Sequence, residues 1–226
     1  MSDDFEKRLN DFIKNLKKPE GLKTSKRKYQ NPWENESKCD NLKKFLTEYK
    51  DARYILIGEA PGRKGCFECG VPFCDIYTFS KMLALKSAPD KPKETSARRI
   101  YETEQFKNKF VAWNAFPYHP CKSDKTNRHP LKDELEFGVE YLKDFLDLFD
   151  SKGKVVVLLG NVAAKVFNNL CDKNSGYKKI EHIELIHPSP CADAKRREKY
   201  KSLSNFKGSD LWQEYVNLKL SEHKHP

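Results

Sequence analysis

The chain has 226 residues, 38% hydrophobic and 34% charged, with a net charge of +10. That is enough apolar material for one domain with a sizeable core, and the positive balance points to a polyanion, nucleic acid or nucleotide, as partner. No apolar run reaches membrane-spanning length, which excludes a membrane protein built on helices.

The opening MSDDFEKRLNDF is acidic and amphipathic, unlike a secretory leader, and the seven cysteines are irregularly spaced; the expectation is a cytoplasmic protein with reduced thiols. Phe5, Leu9, Phe12, Ile13 and Leu16 recur at helical spacing and predict a helix over 4–17. Residues 18–38 are polar, basic and turn-rich, and read as a loop. CDNLKKFLTEYKDA predicts a second helix with Asp40 as its N-cap, and RYILIG a buried strand. A loop bearing Cys66, Cys69 and Cys74 leads into a helix, IYTFSKMLALKSA. KFVAWNAFP is the second strand, ended by Pro117, and a loop rich in His, Pro and Asn follows over 118–130. PLKDELEFGVEYLKDFLDLF is a long amphipathic helix with Pro130 near its start. KVVVLLG has the continuous apolar run of a strand covered on both faces. Then come a helix, NVAAKVFNNL, a fourth strand with its exit turn, HIELIHPSP, helical sequence over 193–222, and the frayed tail SEHKHP.

Strands alternating with helices predict an α/β fold, a three-layer α/β/α sandwich around a four-stranded parallel sheet. The expected organisation is a single domain, 1–226, with an N-terminal helical and basic arm at 1–50. Parallel strands end on one rim, and ligands of open α/β sheets bind there. Three strand ends are polar and turn-prone: Gly58-Glu59-Ala60-Pro61-Gly62, Asn114-Ala115-Phe116-Pro117 and His187-Pro188-Ser189-Pro190. Each alone suits an ordinary turn. Together they bring an acid, a carboxamide and an imidazole to one crevice of a basic domain.

These motifs, with GVPF at 70–73 and NRHPLKDE at 127–134, resemble the uracil-DNA glycosylase superfamily, most closely its thermophile-type branch, family 4. The resemblance implies a four-stranded parallel sheet and an enzyme that flips a damaged or modified pyrimidine, uracil first, out of DNA and hydrolyses its glycosidic bond. It assigns base stacking to Phe73, base reading to Asn114, and stabilisation of the leaving base to His187, a chemistry that suits a carboxamide and an imidazole. Glu59 becomes the carboxylate facing sugar and water, with Asp75 as a second candidate. Gly58, Ala60 and Ser189 fall at the base, while Pro188, Pro190, Lys195, Arg196, Arg197 and Arg128 fall on the DNA side. The small Cys191 and Ala192 stand where relatives carry an apolar wedge.

The sequence departs from that branch at the metal. Family 4 enzymes hold a four-cysteine iron–sulfur cluster, but Tyr118 and Gly138 stand at two of its ligand places and only Cys39 precedes the first motif. The expectation is no cofactor and no metal, with zinc at Cys66 and Cys69 the alternative. DNA is the expected partner of a monomer. Other readings stay open: a glycosylase for a deaminated purine or a bulky phage-type pyrimidine, serving defence, or a non-catalytic DNA-binding module on the same fold.

Overall fold

The computed structural model describes residues 2–19, 22, 29–82, 94–107, 109–124, 126–149 and 153–224. Its strands in chain order are β1 (Tyr29–Gln30), β2 (Tyr54–Gly58), β3 (Phe110–Asn114), β4 (His119–Pro120), β5 (Val155–Leu159) and β6 (His182–Leu185). The four apolar runs pair in parallel in the order β3-β2-β5-β6. β1 and β4 form a separate antiparallel ribbon within segments that read as loops. Every residue of β2, β3 and β5 is buried. Successive strand side chains point to opposite faces, so both faces of the sheet are covered. β6, at the edge, alternates exposed and buried residues.

The helices are α1 (Ser2–Lys17), α2 (Glu36–Glu48), α3 (Cys66–Cys69), α4 (Ile76–Met82), α5 (Thr95–Glu102), α6 (Lys132–Asp147), α7 (Asn161–Lys173), α8 (Asp193–Lys199) and α9 (Gly208–Lys224). Three details differ from the sequence expectation. Asn35, not Asp40, caps α2, its side chain accepting from the Lys38 N–H at 3.3 Å. The helix therefore begins inside the stretch read as loop. The C-terminal helical region is broken: α8 and α9 are separated by a 3-10 turn, Lys201–Leu203, and α9 runs on to Lys224. The helix expected over 76–88 is described as far as Met82, and its remainder lies outside the described residues.

The expected arm at 1–50 is divided. Leu9, Phe12, Ile13 and Leu16 of α1 are buried, and Phe12 lies 4.9 Å from Trp113 of β3 and 6.0 Å from Phe145 of α6, ring centre to ring centre. Trp33 stacks on the same Trp113 at 5.3 Å. Burying side chains of this size stabilises by about 1.5–3 kcal/mol each, so α1 is part of the core and not an appendage. The basic residues at 23–28 lie outside the described residues.

The sheet order carries the functional consequence. From β2 the chain steps to β3 on one side and then returns past β2 to β5 and β6 on the other. That reversal opens a crevice beyond the carboxyl ends of β2 and β5, the place where such sheets take ligands.

Candidate active site

A cleft of about 590 Å³ lies at those strand ends, with Glu59, Phe73, Asn114, His187 and Ser189 in its wall. Gly58 and Asn114 are register partners on β2 and β3. The Phe73 ring and the Asn114 carboxamide close over Gly58: a Cβ there would meet Phe73 Cζ at 2.3 Å and Asn114 Oδ1 at 2.9 Å. Phe73 itself has φ +53°, a left-handed backbone that a bulky residue rarely adopts and that functional sites often hold. Asn114 is 3% exposed, and its Nδ2 has no hydrogen-bond partner among the described residues. A buried, unsatisfied amide donor is costly, and Asn114 is part of the cleft wall.

The turn after β2 is held from three sides. Ala115 and Phe116 donate backbone N–H groups to the carbonyls of Gly58 and Glu59 at 2.8 and 2.9 Å. The buried His119 ring nitrogen Nδ1 meets the Pro61 carbonyl at 2.7 Å. Asn127 accepts from the Arg63 N–H at 3.2 Å. Glu59 extends from this turn to the mouth of the cleft, where its Oε1 lies 2.5 Å from Nδ1 of His129. His129 is 90% exposed, so this pair stands at the solvent edge.

Opposite, His187 follows β6. The Ser189 N–H donates to its Nδ1 at 3.2 Å, which assigns the proton of the neutral ring to Nε2. Burial, with the Arg196 guanidinium adding to it, lowers the His187 pKa to about 4, so the ring is neutral at physiological pH. The loop is fixed from beneath by two arginines and one acid. Arg99 donates to the Pro188 carbonyl at 2.9 Å and grips Asp193 with both nitrogens at 2.9 and 2.8 Å. Arg196 pairs with Asp193 and donates to the His187 carbonyl.

Several sequence assignments change here. Arg196, expected to face DNA, is 0% exposed and serves as an internal clamp. Arg128, also expected on DNA, lines the cleft but forms a bidentate pair with Glu134 at 2.7 and 2.5 Å. Asp75, the second candidate carboxylate, is 1% exposed and outside the cleft wall. Its two oxygens accept from the Thr78 and Glu94 N–H groups at 2.8 and 2.9 Å, tying α4 to the segment ahead of α5. Lys195 is exposed and Arg197 half-buried. Ala60 and Ser189 line the cleft, Pro188 is buried, and Pro190 borders a neighbouring cavity.

Among the residues of the wall to which the sequence reading gave no role are His129 and Glu94. Glu94 is carried ahead of α5, and its carboxyl rests on the turn after β2, since a Cβ at Gly65 would overlap its Oε2 at 1.4 Å. Oε2 is buried without a partner. Burial first, and then Asp75, raises its pKa to about 7.

The residues do not fit an iron–sulfur cluster. Tyr118 is buried, with its hydroxyl 3.4 Å from the Leu16 carbonyl and 3.3 Å from Tyr141. At Gly138 a Cβ would lie 1.8 Å from the Ala115 carbonyl oxygen, leaving no room for a cysteine. Cys66 and Cys69 are buried thiols, and Cys69 donates to the Cys74 carbonyl at 3.0 Å. Among the described residues no group of three or more His, Cys, Asp or Glu side chains is arranged to hold a metal ion, and no helix is long and apolar enough to cross a membrane.

A deep crevice with a stacking ring, an unpaired carboxamide and a neutral imidazole suits a flat, hydrogen-bonding heterocycle, so fold and site define an α/β enzyme that handles nucleobases. The chain belongs to the uracil DNA glycosylase superfamily, whose sequence model matches residues 46–208, and it is a DNA glycosylase acting on DNA. Among solved structures it is similar to wild-type SMUG2 of Pedobacter heparinus, with a TM-score of 0.65, 22% identity and 97% of each chain covered. No curated protein matches the chain.

Proposed function

We propose that the enzyme flips uracil out of DNA into this cleft and hydrolyses its N-glycosidic bond, acting as a single-domain monomer without a metal or organic cofactor. The observation that carries this reading is Asn114: a buried carboxamide with a free donor, beside a stacking ring, matches the donor–acceptor edge of uracil. Phe73 stacks on the ring. Asn114 accepts from N3–H and donates to O4, and the Nε2–H of His187 donates to O2. As the bond between C1′ and N1 breaks, its electron pair passes to the base, and the neutral imidazole stabilises that charge without giving up a proton. Glu59 faces the positive charge growing on the sugar and orients the attacking water. The water oxygen bonds to C1′, its proton leaves through Glu59, and the products are the free base and an abasic site. The seven free thiols suit a reducing compartment, and we place the protein in the cytoplasm.

The test is single-turnover release of uracil from a labelled oligonucleotide, with the freed base identified by mass spectrometry. Loss of the Asn114 hydrogen bonds costs about 1–3 kcal/mol per group. Asn114→Ala should therefore slow release by about tenfold or more with an unchanged unfolding midpoint. Full activity and unaltered base preference in Asn114→Asp would overturn the assigned role. Intact DNA binding with no base released would overturn the reaction.

A further inference from the structure

The base cleft has a neighbour. A second cavity, about 630 Å³, adjoins it and shares Gly62, Glu94, Ser96, Lys122 and Asn127 with it. Pro190, from the loop that carries His187, borders the same cavity. One flipped base fills the first cleft and leaves the second without an occupant.

The second cavity is cationic. Arg63, Lys64 and Lys122 line it, all three are exposed, and none forms an ion pair among the described residues. Arg128 of the first cleft, by contrast, is already paired with Glu134. The segments bearing the three cations are held in place: the Arg63 N–H donates to Asn127 Oδ1 at 3.2 Å, and the Lys122 N–H to the Thr126 carbonyl at 2.9 Å. Three like charges on one wall repel each other, and an anion between them relieves that repulsion. Thr95 and Ser96, the first residues of α5, belong to the same wall. The first N–H groups of a helix have no intrahelical partners, and the Glu94 side chain makes no capping bond to them, so they too favour an anion. Glu94 is the one acid of this wall among the described residues. Burial first, and then Asp75, raises its pKa to about 7, so below neutrality it sets no full negative charge against a phosphate.

Resting on the glycosylase reading above, we propose that the second cavity is the subsite for the nucleotide next to the flipped one in the same strand. Arg63, Lys64 and Lys122 bind the phosphate that joins the two, the neighbour lies unstacked beyond it, and the substrate the enzyme is built for is single-stranded DNA. The shared wall puts the two sites next to each other, which suits nucleotides joined by one phosphate. The same wall keeps them apart: a Cβ at Gly62 would already lie 3.4 Å from Glu94 Oε1. Neighbours in a duplex strand are stacked about 3.4 Å apart, so two concave sites divided by a wall receive them only after they separate. A single strand gives up that stacking at less cost than a paired one.

The experiment uses oligonucleotides with one deoxyuridine, single-stranded or in duplex, at pH 6.5. The phosphates on its 5′ and 3′ sides are replaced one at a time by a neutral methylphosphonate, and a distant phosphate is replaced as control. Affinity by fluorescence anisotropy and single-turnover base release are measured for the wild type and the triple variant Arg63→Gln, Lys64→Gln, Lys122→Gln. A charge-assisted hydrogen bond is worth on the order of tenfold. In the wild type, neutralising the phosphate on one side of the deoxyuridine should weaken binding by about that factor. In the triple variant the same replacement should have little effect, and the control should act alike on both proteins. The duplex should release its base about tenfold or more slowly than the single strand. Equal effects of both adjacent replacements in wild type and triple variant overturn the subsite. Release from duplex as fast as from single strand overturns the single-strand assignment. No release from any DNA, with the coupling between cations and phosphate intact in binding, overturns the glycosylase reading and supports the subsite.

Discussion

Phe73 lies so close to the backbone of Gly58 that a Cβ at position 58 would come within 2.3 Å of its ring. The end of a central strand and the stacking surface of the cleft are therefore one mechanical unit. Adding the smallest side chain to the strand must displace the ring. Overpacking of this kind costs about 1–3 kcal/mol. Gly58→Ala should stay folded, with a lowered unfolding midpoint, yet lose about tenfold or more in single-turnover base release, because the ring no longer meets the base at the productive height. A variant that melts lower but reacts at the wild-type rate would show that Phe73 does not set the base position.

The basic run after His187 separates into residues with different roles. Asp193 is shared by Arg99 and Arg196, both buried. Asp193→Asn leaves two guanidinium groups undercompensated and should destabilise by about 3–5 kcal/mol. Arg196→Met should lower stability and the turnover rate while the salt dependence of DNA binding stays put. Lys195→Ala should leave stability within about 0.5 kcal/mol and reduce the slope of log affinity against log salt by about 1. Melting curves and salt titrations on the three variants check this. An Arg196→Met protein with a wild-type melt and a reduced salt slope would return Arg196 to the DNA interface.

Two cleft residues should bend the stability–pH curve in opposite directions. The pKa of His187 falls from 6.5 unfolded to about 4 folded. Its unfolded form takes up a proton first as pH drops, so its contribution is intact above 6.5 and is lost down to 4. Glu94 rises from 4.5 to about 7. Its contribution is intact below 4.5 and is lost as pH climbs through 7. Each acts at about 1.4 kcal/mol per pH unit at most. Relative to wild type, His187→Gln should gain stability on acidification below 6.5, and Glu94→Gln should gain on alkalinisation above 4.5. Parallel denaturation curves for wild type and variants across both windows would contradict the assignment.

Purified protein should be colourless and carry well under one equivalent of zinc or iron by elemental analysis. The reason is local. The place of one cluster ligand is filled by Tyr118, and that of another is closed by the contact of Gly138 with the Ala115 carbonyl. Gly138→Cys should lose at least about 1–3 kcal/mol of stability and gain no iron. A brown protein with stoichiometric iron would refute this reading.

The sheet was legible in the sequence because its strands are unbroken apolar runs, and the three polar strand ends followed from their parallel order. What escaped was written in charge. α5 went unseen because its inward face includes Arg99, which an apolar pattern cannot reveal. Arg196 looked solvated between Lys195 and Arg197, although Asp193 three residues earlier marks an inward-facing pair. Asp75 looked catalytic because it follows Phe73 closely, yet Thr78, three residues on, marks it as a cap for α4. Glu94 sits in a long charged connection, and only the fold brings it over the turn after β2. Its one trace in the sequence is the pair of glycines, Gly62 and Gly65, that make room for it.

Gly58 and Asn114 lie on strands, and His187 just after one, whose neighbours in space are far apart along the chain. The crevice has no local precursor: until β6 has added to the sheet and the loop after it is clamped, nothing stands opposite Asn114. Pairings over such separations form late and slowly. A nascent chain halted before residue 187 would thus hold Asn114 at the end of β3 while lacking the imidazole needed to cut. Synthesis itself keeps the reactive pocket incomplete until β6 and the chain beyond it are in place.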